Sequence, residues 1–303
     1  MDKTALAEKL QSLGAEKVFI DEPMSTHTTW KIGGPADVFV TPGSDQELAA
    51  ILRFVTDEDI PWLIIGNGSN LLVGDKGVRG VVIKLAESFA SARWQGLNVQ
   101  AGAGMLLGTI AVEAAERGAA GLEFARGIPG SVGGALRMNA GAYGYSLSDL
   151  VTDVTVVDHR GQLLTIPGEE LTFDYRESSL SHIDAVVVRV GMALKRGVRE
   201  EIMERMKEYQ RKRSAAQPLE FPSCGSVFRN PADGHAGKLV QAAGLKGMRI
   251  GGAQVSPKHG NFIVNLGDAT AADARELIRR VQDGVFEYAG IRLEPEVKFV
   301  GEF

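Results

Sequence analysis

The sequence predicts a mixed α/β protein built from more than one domain. An alternating strand at 36–41, a helix that begins after Ser44 and a short apolar strand at Trp62–Ile65 follow one another within about 30 residues. This order is typical of a βαβ unit, in which the two strands run parallel. The chain has 303 residues, which is near the upper size of a single hydrophobic core, so two or three domains are expected.

Caps and breaks in the pattern define the individual elements. A first helix is predicted at 4–13, because Gly14 ends its periodic pattern. Ser44 and Glu47 have the spacing of a capping box for a helix that runs to about Asp57. Further helices are expected at 105–117, 200–213, 237–243 and 270–288. Further strands are expected at 79–85, 98–101, 150–158, 162–166, 185–194, 262–265 and 293–300.

Composition and charge exclude several classes of protein. Lysine and arginine together number 33 against 38 aspartate and glutamate residues, a net charge of −5, so a nucleic-acid partner is not expected. The single cysteine, Cys224, excludes an intramolecular disulfide framework and a cysteine-rich zinc site. Asp233 and His235 do not form a metal-ligand pattern, and no metal is predicted.

The N-terminal region argues against secretion or membrane insertion. Its first residues are charged and periodic, and no apolar run in the chain approaches the roughly 18 residues of a membrane span. We therefore expect a cytoplasmic protein that does not bind a membrane.

A domain boundary is predicted near Gly197. The composition changes after the charged helix at 200–213, and Pro218 and Pro222 interrupt regular structure there. The predicted domains are 1–197, with subdomains of roughly 1–85 and 86–197, and 198–303.

Glycine is the residue type in clear excess. The chain has 37 glycines in 303 residues, about 12% against an average of about 7%. Many lie in two loops, 66–70 directly after a predicted strand and 125–144. Such loops let backbone N–H groups approach a phosphate without hindrance from a Cβ atom. We favour phosphate or pyrophosphate binding over plain turns, although for 66–70 alone a turn is an equal alternative.

Neither loop has one of the two common phosphate-binding patterns. No Gly-Lys-Ser/Thr follows them, so neither is a Walker A motif. Gly66 and Gly68, like Gly102 and Gly104, lack the third glycine of the GxGxxG pattern. A Rossmann domain for a nicotinamide cofactor is therefore disfavoured.

Several motifs in a fixed order carry a family resemblance. They are WLIIGNGSN at 62–70, GIPGSVGG at 127–134, NAGAY at 139–143, GSVFRNP at 225–231, SPKHGNFIV at 256–264 and LEPEV at 293–297. Together they resemble UDP-N-acetylenolpyruvoylglucosamine reductase, the MurB family of peptidoglycan synthesis. Each motif alone is a moderate signal, but their order from about Thr28 to the C-terminus is a strong one.

The resemblance implies a fold as well as a family. It implies an FAD-binding domain of the vanillyl-alcohol-oxidase (PCMH) type in two α/β subdomains, and a C-terminal α+β domain that binds substrate. The absence of GxGxxG agrees with such a non-Rossmann domain. The stretch between Asp174 and Gly225 is short, which resembles the type II members that lack the tyrosine loop of type I.

The implied reaction is a reduction with FAD as cofactor and NADPH as co-substrate. UDP-N-acetylglucosamine enolpyruvate would be reduced to UDP-N-acetylmuramate. Hydride would pass from NADPH to FAD and then from N5 of the reduced flavin to C3 of the substrate, while C2 takes a proton. The expected partners are these small molecules, and no obligate protein partner is expected.

Three residues match the catalytic positions of the family. Ser226 is the implied proton donor to C2, although the local sequence alone favours a turn or capping hydroxyl. Arg176 matches the arginine that stabilises the developing enolate, and its alternative role is a surface ion pair with a neighbouring carboxylate. Alternation places Glu294 and Glu296 on one face of a strand, and the motif match selects Glu296.

The resemblance also assigns the flavin and the rest of the substrate. The expected flavin-binding residues are Gly66, Asn67, Gly68, Ser69, Asn70, Gly127, Ile128, Pro129, Gly130, Ser131, Gly133, Gly134 and Asn139. Residues 28–32 are also expected to line the flavin. Candidates for the substrate diphosphate and uridine are Arg213, Gln217, Asn230, Lys238 and Lys258.

Two other functions stay open on the sequence. A different enzyme on the same flavin fold, such as an alcohol or sugar-lactone oxidase, would not need Ser226; a covalently bound flavin would favour it, but the two glycine loops contain no histidine to form that bond. A non-enzymatic flavin or nucleotide binder is expected to lack one of the three catalytic residues, and all three are present.

Overall fold

The structure is a computed structural model that describes residues 1–232 and 234–303. Asp233, for which no metal role is predicted, lies outside the described residues. The helices are α1 (Lys3–Ser12), α2 (Asp45–Asp57), α3 (Leu107–Glu116), α4 (Val132–Arg137), α5 (Arg199–Ala216), α6 (Ala236–Ala242) and α7 (Ala271–Ala289).

The strands alternate with these helices along the chain. The first ten are β1 (Lys17–Pro23), β2 (Pro35–Thr41), β3 (Trp62–Ile65), β4 (Leu71–Val73), β5 (Val78–Lys84), β6 (Ala92–Gln95), β7 (Asn98–Gly102), β8 (Ala119–Ala120), β9 (Gly141–Ala142) and β10 (Tyr145–Ser146). The others are β11 (Val151–Asp158), β12 (Leu163–Pro167), β13 (Phe173–Asp174), β14 (Glu177–Ser178), β15 (Ala185–Ala193), β16 (Lys195–Arg196), β17 (Arg249–Ile250), β18 (Ala253–Val255), β19 (Ile263–Asn265) and β20 (Lys298–Val300).

The chain divides by its contacts into two compact units. The first contains 1–20, 37–67 and 80–211, and the second contains 21–36, 68–79 and 212–303. These units are defined by contacts between residues, whereas the predicted boundary near Gly197 rests on composition. The domains 1–197 and 198–303 therefore stay a prediction. Each unit has its own cluster of buried apolar side chains.

Two sheets organise the first part of the chain. A four-stranded sheet has the order β1-β2-β5-β3, and β3 and β5 run parallel. The βαβ order predicted that β2 and β3 form the parallel pair, but β5 lies between them, and β3 pairs with β5 instead. A five-stranded sheet has the order β12-β11-β15-β7-β6, with every neighbouring pair antiparallel.

Helix α2 shows how the sequence pattern produces packing. Leu48, Ile51, Leu52 and Val55 follow helical spacing, and all four are fully buried. The Ser44 hydroxyl accepts the N–H of Glu47 at 3.2 Å, as the predicted cap requires. The reciprocal half of the capping box is not formed with Ser44, because the Glu47 carboxylate accepts the N–H of Gly43 at 2.7 Å.

The second unit is a small α+β structure. A three-stranded antiparallel sheet, β17-β18-β19, accompanies helices α6 and α7. Helix α7 begins with a complete capping box between Thr270 and Asp273. The Asp75 carboxylate also accepts the N–H groups of Ala271 at 2.7 Å and Ala272 at 2.9 Å, which stabilises the positive end of the helix dipole.

The last predicted strand is shorter than expected. The prediction covered 293–300, but the strand found is Lys298–Val300, which pairs in parallel with β4. Pro295 has no N–H to donate to a ladder, so the preceding residues form only an isolated bridge, between Pro295 and Phe228. Within the described residues, no helix combines the length and the apolar character needed to span a membrane.

Candidate active site

The two glycine-rich loops meet in the first unit. A Cβ atom built on Gly66 would collide with Oγ of Ser131. Beside this contact, the side-chain amide of Asn67 donates a hydrogen bond to the carbonyl oxygen of Pro129. The loop that ends β3 and the loop that begins α4 therefore lie against each other, although they are far apart in sequence.

Backbone hydrogen bonds to residues 103–107 hold the second loop in place. The N–H of Gly133 donates to the carbonyl of Ala103 at 2.9 Å, and the N–H of Leu107 donates to the carbonyl of Gly130, also at 2.9 Å. A Cβ atom on Gly133 would lie 2.8 Å from Cβ of Ala103, closer than side chains pack. The predicted need for glycine in this loop is thus explained in part by contacts within the protein.

Backbone donors are available in these loops for an anion. In the described part of the chain, the N–H groups of Asn67, Gly130 and Ser131 donate to no protein acceptor. The Ser131 side chain accepts the N–H of Gly134 at 3.4 Å and so caps α4. Amides that point away from protein acceptors beside a helix start suit a negatively charged group. The loops therefore fit a cofactor that carries a pyrophosphate, such as FAD.

Arg176 lies at the tip of a tight hairpin in the same unit. Strands β13 and β14 pair on either side of it, and its backbone is left-handed with φ of +58°. Asn139 and Tyr143 also have positive φ, +40° and +57°. Such conformations are uncommon for residues other than glycine and cluster at functional sites.

The hairpin and the segment that follows α4 hold each other. Arg176 donates from Nη2 to the carbonyl of Gly141 at 3.3 Å, and the Asn139 amide donates to the carbonyl of Asp174 at 3.1 Å. Oδ1 of Asn139 accepts the N–H of Ser148 at 3.2 Å. Asn139, which was expected to contact the flavin, thus also positions the hairpin of Arg176.

Helix α4 connects the glycine loop to this hairpin. It begins after Ser131 and ends at Arg137, whose carbonyl accepts the hydroxyl of Ser178 at 2.8 Å. Near Arg176, the Asp174 carboxylate accepts the N–H of Tyr175 at 2.6 Å, and Glu177 contacts His182 at 2.9 Å. Loop, helix and hairpin form one connected structure.

Ser226 lies in an extended segment of the second unit. Gly225 before it has φ of +80°, and Val227 and Phe228 after it are buried. The Val227 N–H donates to the carbonyl of Asn261 at 2.9 Å, and the N–H of Arg229 donates to the carbonyl of Glu294, also at 2.9 Å. The segment is therefore bonded to a neighbour on each edge, and Ser226 itself is half-buried.

The same contacts distinguish Glu296 from Glu294. The N–H groups of Glu296 and Val297 both point to the carbonyl of Val227, at 2.7 and 3.4 Å. Two residues opposite one is the pattern of a β-bulge, which turns a side chain away from simple alternation. Glu296 is half-buried, whereas Glu294 is exposed. The carbonyl of Glu296 also accepts the Asn70 amide at 3.1 Å.

Cys224 lies two residues before Ser226 and is buried, with 4% of its surface exposed. Burial raises the pKa of its thiol well above the usual value. The thiol therefore stays neutral at physiological pH and is not a candidate nucleophile.

The other predicted residues of the second unit are spread over several elements. The Thr28 hydroxyl donates to the carbonyl of Ile32 at 2.9 Å and closes the 28–32 loop. Asn230 accepts the N–H of Ala236 at 3.0 Å, close to the start of α6. Lys258 donates to the carbonyl of Ser214 at 2.7 Å. The structure brings Lys258 to the end of α5, where Arg213 and Gln217 are, while Lys238 lies on α6.

Asn261 was not among the residues predicted from the sequence. It is buried, and its side chain bonds to both backbone groups of Phe228. Its sequence signal is its place in the SPKHGNFIV motif, in which only the charged Lys258 was predicted to contact the substrate.

His259 in the same motif is adapted to the neutral form. Its Nδ1 accepts the N–H of Asn261 at 3.2 Å. Burial lowers the pKa of His259, and the positive charge of Lys246 lowers it further. Because only an unprotonated Nδ1 can accept this bond, the neutral ring is the form that the fold prefers.

Comparison with known proteins identifies the family. A family model for the C-terminal domain of UDP-N-acetylenolpyruvoylglucosamine reductase matches residues 217–300, and an FAD binding domain model matches residues 36–167. The UDP-N-acetylenolpyruvoylglucosamine reductase of Heliobacterium modesticaldum is 50% identical over 282 residues, which cover 93% of this chain and 90% of that relative. The one from Alkaliphilus oremlandii is 44% identical over the full length of both.

The chain belongs to the UDP-N-acetylenolpyruvoylglucosamine reductase family. The crystal structure of the Thermus caldophilus enzyme of this name has a TM-score of 0.81 and 40% identity, and covers 94% of this chain and 98% of that one.

The protein is an FAD-dependent oxidoreductase of peptidoglycan synthesis. The predicted fold class, a mixed α/β FAD-binding domain followed by a C-terminal α+β domain, is confirmed. The predictions for individual site residues keep the status of proposals.

We expect Gly66→Ala to weaken FAD retention in the reductase. The added methyl group collides with Ser131 and separates the two loops. The measurement is the flavin-to-protein ratio after gel filtration, and replacing Ser131 by alanine in the same chain should restore part of it. Gly234→Ala is the control, since its φ is not left-handed and its Cβ meets only Cγ of Pro231, at 4.0 Å. Equal flavin loss in both glycine variants would contradict this role.

Stability should fall in mild acid partly through His259. Its folded pKa lies below the unfolded value of about 6.5, so the unfolded chain takes up the proton first as the pH falls. Between about pH 7.5 and about pH 5.5, the Tm of the native sequence should decrease more than that of His259→Gln. An equal slope for the native sequence and for His259→Gln would show that His259 has no such effect.

Proposed function

We propose that the protein reduces the enolpyruvyl ether of UDP-N-acetylglucosamine enolpyruvate to the lactyl ether of UDP-N-acetylmuramate, with NADPH as reductant. The observation that supports it best is that a chain of this family has glycine loops fitted for a pyrophosphate and retains Arg176, Ser226 and Glu296. FAD held by these loops would supply the hydride-transfer chemistry between NADPH and C3 of the substrate.

The flavin would be held by the loops around Gly66 and Ser131. Backbone N–H groups there would bind the pyrophosphate, since they face no protein acceptor and cost no reorganisation. The remaining predicted flavin residues belong to the same two loops and to Asn139. Binding is non-covalent in this proposal, because neither loop contains a histidine.

Ser226 would protonate C2 of the substrate. A serine hydroxyl is a weak acid, and it can serve only when the carbon it protonates is strongly basic and when it is held in place. The hydrogen bonds on both edges of residues 225–229 supply that positional constraint. The carbanion formed by hydride addition at C3 supplies the basicity.

Arg176 and Glu296 would stabilise the enolate that forms on the substrate carboxylate. A guanidinium can bind a carboxylate through two parallel hydrogen bonds. Arg176 is held in its hairpin through Gly141 and Asn139, so its side chain starts from a fixed backbone. Glu296 would donate a hydrogen bond from its protonated form.

The uridine diphosphate part of the substrate would be bound by residues of the second unit. Arg213, Gln217 and Lys258 are associated with the end of α5, and Asn230 and Lys238 with α6. Cations near amide groups suit a diphosphate. We also propose a cytoplasmic location and no obligate protein partner, as the sequence led us to expect.

A single experiment separates this function from its alternatives. The purified protein should absorb at about 450 nm, as flavins in general do. NADPH should bleach this absorbance. UDP-N-acetylglucosamine enolpyruvate should then restore the colour, whereas simple alcohols should not. Colour without bleaching would favour a flavin-binding protein, and recovery with other acceptors alone would favour another flavin enzyme.

Ser226→Ala should uncouple the two half-reactions. We expect flavin reduction by NADPH to change less than about twofold, while reoxidation by the enolpyruvyl substrate slows by about 10²- to 10⁴-fold, because the proton donor is lost. Stopped-flow absorbance measures both steps. Ser223→Ala, in the same segment, is the control. An equal decrease in both half-reactions would refute the proton-donor role.

Arg176→Lys should slow reoxidation although it retains the charge. An ammonium group cannot reproduce the paired hydrogen bonds of a guanidinium, so we expect a loss of about 10- to 100-fold in kcat/KM for the enolpyruvyl substrate. Arg189→Lys is the matched control, since its ion pair with Asp45 at 2.7 Å needs only a point charge. Unchanged kinetics in Arg176→Lys would exclude bidentate binding.

A further inference from the structure

The buried side-chain amide of Asn261 forms the hydrogen bonds that a neighbouring strand would otherwise form with the segment of Ser226. On the Asn261 side, three hydrogen bonds hold the segment: the Asn261 carbonyl accepts the Val227 N–H at 2.9 Å, its Oδ1 accepts the Phe228 N–H at 2.9 Å, and its Nδ2 donates to the Phe228 carbonyl at 2.8 Å. The side chain thus does for Phe228 what a neighbouring peptide group does in a sheet.

Few side chains can make this arrangement. It requires one acceptor and one donor at a fixed separation, which among short side chains only asparagine supplies without a charge. Asn261 and Phe228 are 4% and 1% exposed, so water does not replace the bonds. Loss of the amide leaves two buried backbone groups of Phe228 unsatisfied, which is costly.

Val227 connects the Asn261 side of the segment to its opposite edge. The carbonyl of Val227 accepts the N–H of Glu296 at 2.7 Å. Val227 therefore lies between Asn261 on one side and Glu296 on the other. A shift of this segment would move Ser226 and would also loosen the bulge at Glu296.

We propose that Asn261 is a positioning residue that holds the Ser226 hydroxyl in the geometry needed for proton transfer to C2. This rests on the proposed function of Ser226. Asn261 does not need to touch the substrate, because it acts through the backbone of residues 226–228. A displacement of about 1 Å at a reacting group can reduce a rate by about 10²-fold.

The surroundings of Asn261 keep it in place. Its own N–H donates to Nδ1 of His259 at 3.2 Å. A Cβ atom on Gly260 would lie 2.5 Å from the carbonyl of Gly237 in α6, so the backbone before Asn261 is closely packed. The amide is thus presented to Phe228 from a fixed backbone.

The first test is Asn261→Leu, which keeps a similar volume and removes both the donor and the acceptor. We expect flavin reduction by NADPH to stay within about twofold and reoxidation by the enolpyruvyl substrate to slow by about 10- to 100-fold. Thermal unfolding is measured in parallel. The control is Val285→Ala, a fully buried position of α7, which should lower Tm while leaving the ratio of the two half-reactions unchanged.

A double-mutant cycle with Ser226→Ala shows whether Asn261 acts through Ser226. If it does, Asn261→Leu slows reoxidation much less in the Ser226→Ala background than in the native one. Fully additive losses, or an unchanged reoxidation rate in Asn261→Leu alone, would overturn the proposal. If Ser226→Ala itself leaves reoxidation fast, the proposed function of Ser226 fails instead, and the two failures are thereby distinguished.

A second variant covers the case in which Asn261→Leu does not fold. Asn261→Asp retains an acceptor for the Phe228 N–H, and its protonated form also regains a donor for the Phe228 carbonyl. Reoxidation relative to the native protein should therefore recover as the pH falls from about 8.5 to about 6, since burial favours the protonated carboxyl. A ratio that is constant over this range would contradict the positioning role.

Discussion

The contact between Gly66 and Ser131 is the constraint on which the first unit depends. It leaves no room for a side chain, so the end of a strand and the start of a helix must be built around it. Helix α4 then runs from Ser131 to Arg137, and the residues beyond it hold the hairpin of Arg176. One short helix thus links the hairpin of Arg176 to the close contact between Gly66 and the Ser131 side chain.

The second unit solves a similar problem with hydrogen bonds. Pro295 interrupts any regular strand, and the Ser226 segment cannot join an ordinary sheet on that side. A bulge at Glu296 and the side-chain amide of Asn261 take the place of ladder partners. Where regular secondary structure is absent, buried backbone groups need hydrogen-bond partners from side chains. This need explains why the polar side chain of Asn261 is buried here.

Local rules predicted the elements better than their ends and partners. Apolar spacing located α2, and the Thr270 capping box marks the start of α7. The prediction of a complete capping box at Ser44 was wrong, because the Glu47 carboxylate accepts the N–H of Gly43 instead of the N–H of Ser44. The pairing of β3 with β5 and the role of Asn261 depend on contacts between distant segments, and no local periodicity encodes those. The choice of Glu296 over Glu294 comes from a motif and stays a prediction, because strand alternation treats the two residues alike and does not encode their different burial.

Because Cys224 is buried, its reaction with a thiol reagent depends on local opening of the fold. This is the single thiol of the chain, and it lies on the segment that carries Ser226. In the closed fold the neutral, enclosed sulfur resists alkylation. Modification by a thiol reagent therefore requires that this segment separate from its neighbours, and the labelling rate reports how often that occurs. The labelling rate of Cys224 thus measures local opening of the segment around Ser226 without any added probe.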